Sequence, residues 1–301
     1  MPSVVAHIVL NPKSGGGRAY RRRDYVVRQL ADRGVHAEIH LTEAPGHAVT
    51  IARKLSDAGA DRVVAAGGDG TMHDVANGIL QSKGNAAMGV LPLGTGNDFA
   101  KVVAGSQIPF ETIAGGRPTR FDVGHASWER GNEYFVNGMG TGIDVEVVRQ
   151  LHRLPNMPGP AKYLAGLLRA LVAYKPVELG AIENGTTEEH RVMMMAVGNG
   201  VCQGGGFYLT PDSSTNDGKL NLCVVNAIPL WQVPAVLPRV LRGTHESHAA
   251  VSARTIEQIR FEARGENSLY FQLDGELREP PGAKWVNVEV KPGALRVLTL
   301  K

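Results

Sequence analysis

Strand-like apolar runs alternate with helical patterns through the first ninety residues, and three of those runs open into glycine. The strand-like runs are Val4–Leu10, Val35–Leu41, Asp61–Ala66 and Ala87–Leu91; the helical patterns are Ala19–Arg33, closed by Gly34, His47–Ala58 and Thr71–Gln81. Strand–helix alternation needs crossover connections, and it predicts a parallel sheet with helices on both faces. Ligands bind such sheets at the carboxyl ends of the strands. Three glycine-bearing loops fall at those ends: NPKSGGG (Asn11–Gly17), GGDGT (Gly67–Thr71) and PLGTGND (Pro92–Asp98).

The texture changes near residue 120. Strands are expected over Arg120–Gly124 and Tyr134–Asn137, and helices over Gly142–Leu154 and Lys162–Tyr174. Short apolar runs then follow at Glu178–Ile182, Val192–Val197, Leu220–Val225, Ile256–Ala263, Tyr270–Leu273, Trp285–Val290 and Leu295–Leu300. Turn residues separate them, which predicts an antiparallel sandwich or barrel. The fold class expected is a Rossmann-like α/β domain followed by a mostly β domain.

Composition narrows the class further. Of 301 residues 43% are hydrophobic and 20% charged, as in a globular chain and unlike a disordered one. Two cysteines, Cys202 and Cys223, are too few for a disulfide framework and point to a reducing cytosol. No run is long enough to span a bilayer. A net charge of +3 is small, and nucleic acid is not an expected partner.

The loops suit phosphate, because glycine lets backbone approach a ligand and a helix N-terminus adds N–H groups. Yet no G-x-x-x-x-G-K-[ST] occurs and no complete G-x-G-x-x-G occurs. Asp69 is the informative residue. A bare carboxylate repels phosphate unless a hard cation such as Mg²⁺ intervenes; the alternative is a turn aspartate capping the helix that follows.

GGDGT, followed by Leu93-Gly94-Thr95-Gly96-Asn97-Asp98-Phe99-Ala100, resembles the diacylglycerol kinase catalytic-domain family, which includes bacterial soluble lipid kinases and sphingosine kinases. Asn11-Pro12-Lys13-Ser14-Gly15, TEAPGH (Thr42–His47), Phe121-Asp122-Val123-Gly124, DSSTNDGKL (Asp212–Leu220) and Leu273-Asp274-Gly275-Glu276 match further motifs of that family. The resemblance implies a nucleotide domain over 1–125, a β-sandwich lipid domain over 126–285, and a return of 286–301 to the first, with the active site in the cleft between them. It implies ATP and Mg²⁺ as cofactors. Asn11, Pro12, Lys13, Ser14, Gly15, Thr42, Gly67, Gly68, Asp69, Gly70, Thr71, Met72, His73, Gly94, Thr95 and Asn97 would surround the nucleotide, with Asp98 and Asp122 as further acidic groups of the cleft. A structural metal would be held by Asp217 and the carbonyls of Ser214 and Lys219. His73-Asp74 stands where relatives carry Asn-Glu, and Leu154–Pro160 holds no lysine to take as catalytic.

Asp274 and Glu276 admit two readings. Asp-Gly is a strong hairpin dipeptide; alternation along an extended chain would instead put both carboxylates on one side, with Gly275 leaving room for substrate. On the family reading one is the general base, Glu276 being preferred, with Asp274 as its partner and Asp69 on the metal. The expected reaction is phosphoryl transfer from MgATP to a hydroxyl of a membrane lipid: diacylglycerol, a sphingoid base, ceramide or a glycerophospholipid. A kinase for a soluble substrate such as NAD, and a non-catalytic nucleotide-binding regulator, are the alternatives. The protein is then expected in the cytoplasm, peripheral on the inner face of the membrane, with a homodimer left open. The arginines from Arg18 to Arg33 form either a lipid-binding or a solvated face. The apolar helix Ala161–Tyr174 packs or lines an acyl pocket. Ile228–Leu241, interrupted by Pro229, Pro234 and Pro238, is core or membrane interface.

Overall fold

The structure is a computed structural model that describes residues 4–104, 110–155, 157 and 159–300. The chain forms two compact units, Met1–Phe121 with Gly293–Lys301, and Asp122–Pro292.

In the first unit, β1 (Val4–Leu10) leads into α1 (Ser14–Arg21) and α2 (Arg23–Ala31). β2 (Val35–Leu41), α3 (His47–Asp57), β3 (Arg62–Gly67), α4 (Asp69–Leu80) and β4 (Ala87–Pro92) continue the alternation. α5 (Asp98–Ala104) and α6 (Phe110–Gly115) complete it. The strands pair in parallel in the order β4-β3-β1-β2, which leaves β2 at the edge. One face of the sheet, with Ile8, Leu10, Val64 and Leu91, packs on Val26, Leu30, Phe110 and Ile113 of the helices. The helix expected over Ala19–Arg33 is broken at Arg22, and the glycine loop before it is partly taken into α1.

β5 (Arg117–Trp128) joins the units. In the second unit follow β6 (Gly131–Phe135), β7 (Gly138–Gly142), α7 (Ile143–Arg153), α8 (Gly159–Ala173), β8 (Val177–Glu183), β9 (Thr186–Gly198) and β10 (Leu220–Asn226). Then come α9 (Val233–Arg242), β11 (Val251–Ile256), β12 (Gln258–Ala263), β13 (Leu269–Leu273), β14 (Glu276–Ala283) and β15 (Trp285–Thr299). Their pairings within the unit are antiparallel, through β14-β13-β7-β9-β8-β12-β15, with β11-β10 added to β9. Phe135, Leu179, Val197, Leu222, Phe261, Phe271 and Val286 form the core. A second cluster seats α7, α8 and α9 around Met193, Cys223 and Val225.

Two expectations about strands change, and one strand was not expected. Ile256–Ala263 is two strands that part at Glu257. Trp285–Val290 and Leu295–Leu300 are one strand, which pairs β12 through residues 285–289 and β4 through Val297. β7, sequence GMGTG, lacks the apolar pattern of a strand but is buried along its length. Proline does not break α9: Pro234 sits in its first turn, where the missing N–H costs nothing, although Pro238 lies inside.

Candidate functional site

The three glycine loops of the first unit are tied to one another by backbone. Leu93 and Gly94 N–H both donate to the Gly67 carbonyl, at 2.8 and 3.0 Å. A Cβ on Gly94 would collide with the Gly68 backbone, so this approach is closed to any side chain. Arg18 Nη2 donates to the Gly94 carbonyl at 2.8 Å, and a Cβ on Gly15 would sit 2.7 Å from the Leu93 carbonyl. Gly15, Gly16 and Gly17 follow with φ of 60, 67 and 81°, a left-handed run that favours glycine. Asn11 Oδ1 accepts from Lys13 N–H, and Thr42 N–H donates to the Leu10 carbonyl. The loops therefore bring Asn11, Lys13, Ser14, Gly15, Gly67, Gly68, Gly94 and Asn97 to one end of the sheet. Lys13 and Thr95 are exposed there, while Thr71, Met72 and His73 are buried in α4.

Of the two roles weighed from sequence for Asp69, the structure overturns the helix cap. Asp69 does not cap its own helix; Gly68 precedes α4 without a side-chain cap. Its Oδ2 accepts from Asn97 N–H at 2.7 Å, and its Oδ1 from Asp98 N–H at 2.7 Å and Phe99 N–H at 3.4 Å. The carboxylate thus covers the open N–H groups that begin α5, one loop away. A Cβ on Gly96 would lie 2.7 Å from Asp69 Oδ2, so that glycine is needed for the same contact. Asn97 adopts φ 54° and its side chain bonds both N–H and carbonyl of Gly94. Burial, and secondly the neighbouring Asp98, push the Asp69 carboxyl up to about 6 despite these three donors. Asp98 itself is buried and paired with Lys101 at 2.9 Å.

In the second unit Asp274-Gly275 is a hairpin turn between β13 and β14. Leu273 pairs with Glu276, and φ is 50° at Asp274 and 86° at Gly275. Two positive φ values in a two-residue loop are the type I′ conformation for which Asp-Gly is suited. The extended-chain reading that put both carboxylates on one side is thereby overturned. The carboxylates differ sharply. Asp274 accepts from the N–H groups of Val136, Asn137 and Gly138 at 2.8 to 2.9 Å and is buried. Glu276 is exposed, and its carboxylate has no hydrogen-bond or ionic partner among the described residues.

Behind the turn lies a buried polar chain that sequence reasoning missed. Gly275 N–H donates to Gln272 Oε1, and Gln272 Nε2 donates to Asp144 Oδ2 at 2.7 Å. Burial raises the Asp144 carboxyl above its ordinary range. Side chains of this chain sit directly on β7: a Cβ at Gly138 would strike Gln203 and one at Gly140 would strike Asp144. Asp144 also lines an apolar pocket with Val147, Leu167, Met193, Val225 and Leu237, between α7, α8 and α9. No sequence signal set Asp144 apart, because α7 also carries Glu146, Arg149 and Arg153 among its apolar residues.

Asp122 and the loop 212–219 belong together. Asp122 Oδ2 accepts from Gly218 N–H at 2.7 Å, and its N–H donates to the Thr215 carbonyl. Asp217 Oδ1 accepts from Lys219 N–H, and Oδ2 has no partner among the described residues. An exposed carboxylate with one oxygen so disposed is a hard donor of the kind a divalent cation takes. The buried Cys223 thiol is pushed up to about 12 and stays protonated; Cys202 is buried too.

Residues 5–126 match the model of the diacylglycerol kinase catalytic domain, and residues 137–299 that of the YegS C-terminal NAD kinase beta sandwich-like domain. A protein of Chromohalobacter salexigens named probable lipid kinase YegS-like is 32% identical over 96% of this chain and 91% of its own. A diacylglycerol kinase of Bacillus subtilis is 27% identical over 94% of this chain and 93% of its own. Among solved structures, one Bacillus anthracis protein superposes with a TM-score of 0.77 at 22% identity, covering 99% of this chain and 97% of its own. A second, a diacylglycerol kinase of that organism, gives 0.71 at 20% over the same shares. At those identities the two structures speak for the fold. With its catalytic-domain half, its sandwich half and a relative of 32% identity along almost its whole length, the chain belongs to the diacylglycerol kinase catalytic-domain family.

Proposed function

We propose that this chain is a lipid kinase of the diacylglycerol kinase family that transfers the γ-phosphoryl group of ATP, with Mg²⁺, to a hydroxyl of a membrane lipid. The observation that carries the lipid half of the reading is the apolar pocket of α7, α8 and α9 with one carboxyl, Asp144, in its lining. The lining is apolar, as an acyl chain requires, and a buried acid is suited to a polar head group; the enclosed space of about 80 Å³ has to widen to admit a whole chain. The surface beside the pocket supports delivery from a bilayer. Leu164, Leu168 and Val172 of α8 are 45, 56 and 86% exposed, and Leu230, Trp231 and Leu241 around α9 are 53, 77 and 46% exposed. Apolar side chains at four-residue spacing share one helix face, and α8 and α9 pack in one cluster. Among the described residues no helix is long and apolar enough to cross a membrane.

The nucleotide half rests on the linked loops of the first unit. Gly15–Gly17, Gly67, Gly68, Gly94 and Gly96 offer backbone without side chains, and Lys13 adds an exposed cation. Bound Mg²⁺ would neutralise phosphate charge. Asp69, whose oxygens hold the start of α5, keeps two of these loops in register. Glu276, exposed and without a hydrogen-bond or ionic partner among the described residues, accepts the proton of the lipid hydroxyl on this reading. Asp274 holds the turn 136–138 and so fixes the hairpin that presents Glu276.

The test is transfer of labelled phosphate from ATP over diacylglycerol, sphingoid, ceramide and glycerophospholipid vesicles, with NAD as a soluble arm. A labelled lipid is expected, and labelled NADP alone would overturn the reading. Glu276→Gln should keep its thermal stability and lose ~10²-fold or more in rate, the scale of general-base catalysis. Asp274→Asn should lose stability as well, because an amide cannot accept all three backbone donors.

A further inference from the structure

A second cluster of chemistry-bearing side chains lies in the first unit, away from the glycine loops. His7 of β1 pairs in register with Glu38 of β2, and His36 and His40 flank Glu38 two residues to either side. Period-two alternation puts all four on one face of the sheet. His7 Nδ1 lies 3.3 Å from His40 Nε2 and 3.3 Å from Glu38 Oε2. One ligand atom from each of His7, Glu38 and His40 falls within 4.8 Å of the others. The other carboxylate oxygen of Glu38 is 3.9 Å from His36 Nε2.

Hydrogen bonding alone accounts poorly for this convergence. A ring nitrogen has one in-plane position, either a proton or a lone pair. If His7 Nδ1 carries the proton it serves one acceptor; if it is bare it repels the carboxylate. A metal ion takes lone pairs from all three. Ligands about 2.0–2.1 Å from a tetrahedral Zn²⁺ stand roughly 3.3 Å apart, which is the spacing of His7 Nδ1 to each of the other two, while Glu38 and His40 stand within 4.8 Å of each other.

We propose that His7, Glu38 and His40 form a binding site for a transition-metal ion of the Zn²⁺ class, at the β1–β2 edge of the sheet. Two imidazoles and one carboxylate are borderline ligands, suited to Zn²⁺, Co²⁺ or Ni²⁺ and not to Mg²⁺ or Ca²⁺. Solvent completes the coordination, with His36, 65% exposed, on the open side. His7 stands four residues before Asn11, about 13 Å along a strand, so the ion would clamp the edge strand and take no part in phosphoryl transfer.

The experiment uses the full chain without a histidine tag. Zn²⁺ is titrated calorimetrically, Co²⁺ is followed by its visible absorption, and melting is recorded with each ion and with Mg²⁺. One equivalent of Zn²⁺ is expected, with a Co²⁺ band and a rise in melting temperature that Mg²⁺ does not give. His40→Gln and Glu38→Gln should each weaken Zn²⁺ roughly tenfold or more, while circular dichroism and lipid phosphorylation stay as in the parent. No stoichiometric binding by the parent chain, or parental affinity in both folded variants, overturns the site.

Discussion

A single carboxylate can hold two loops together, and Asp69 is such a residue. Its oxygens are engaged by the N–H groups of Asn97, Asp98 and Phe99, so its first effect is on the geometry of the loops. Its raised ionisation gives a test with a definite sign. Burial and Asp98 disfavour the charged form in the fold, moving the group from 3.8 to about 6. The stability that the neutral group contributes is present below 3.8 and is lost as pH rises through about 6. Asn is neutral throughout. The stability of the parent relative to Asp69→Asn should therefore fall between roughly pH 4 and 7; denaturant titrations at several pH values check it, and parallel curves for the two proteins would refute it. What sequence could say of Asp69 was its neighbourhood of glycines. What it could not say was which loop its oxygens reach, because Asn97 lies twenty-eight positions away and no local pattern links them.

Among the elements, α8 carries the clearest expectation. Leu168 and Val172 are the most exposed apolar residues of its outer face, and a Leu168→Glu, Val172→Glu pair should leave melting nearly unchanged while strongly reducing sedimentation with anionic lipid vesicles. Equal sedimentation of parent and variant would remove α8 from the proposed membrane contact. The elements also show where a sequence stops being legible. The parallel strands were readable because each is a continuous apolar run between turn signals. β7 was not, because glycine is depleted in strands and leaves no pattern; its glycines are there because Gln203 and Asp144 press on the strand. The hairpin at Asp274-Gly275 was legible as a turn from its dipeptide, and strand alternation carried through it suggested otherwise. Glu257 and residues 291–294 misled in opposite directions, one parting a single apolar run into two strands and the other lying within a strand that read as two.

For the whole molecule the telling feature is that β15 serves both units. Leu295, Val297 and Leu298 are buried, and Val297 pairs with Met88 of the first unit. Burying such side chains stabilises by about 1.5–3 kcal/mol each, a large share of the stability of a domain. A chain cut after Pro292 should keep the second unit folded and lose cooperative melting of the first, as resolved by calorimetry; two intact transitions would contradict this. The same strand sets an order on biosynthesis. Domains emerging from a ribosome usually fold in the order of their translation, but here the first 121 residues must wait until residues 293–300 have left the exit tunnel before their sheet is complete. The unit made first is finished last, and for the interval between, its β4 edge stands open to chaperones and to other nascent chains.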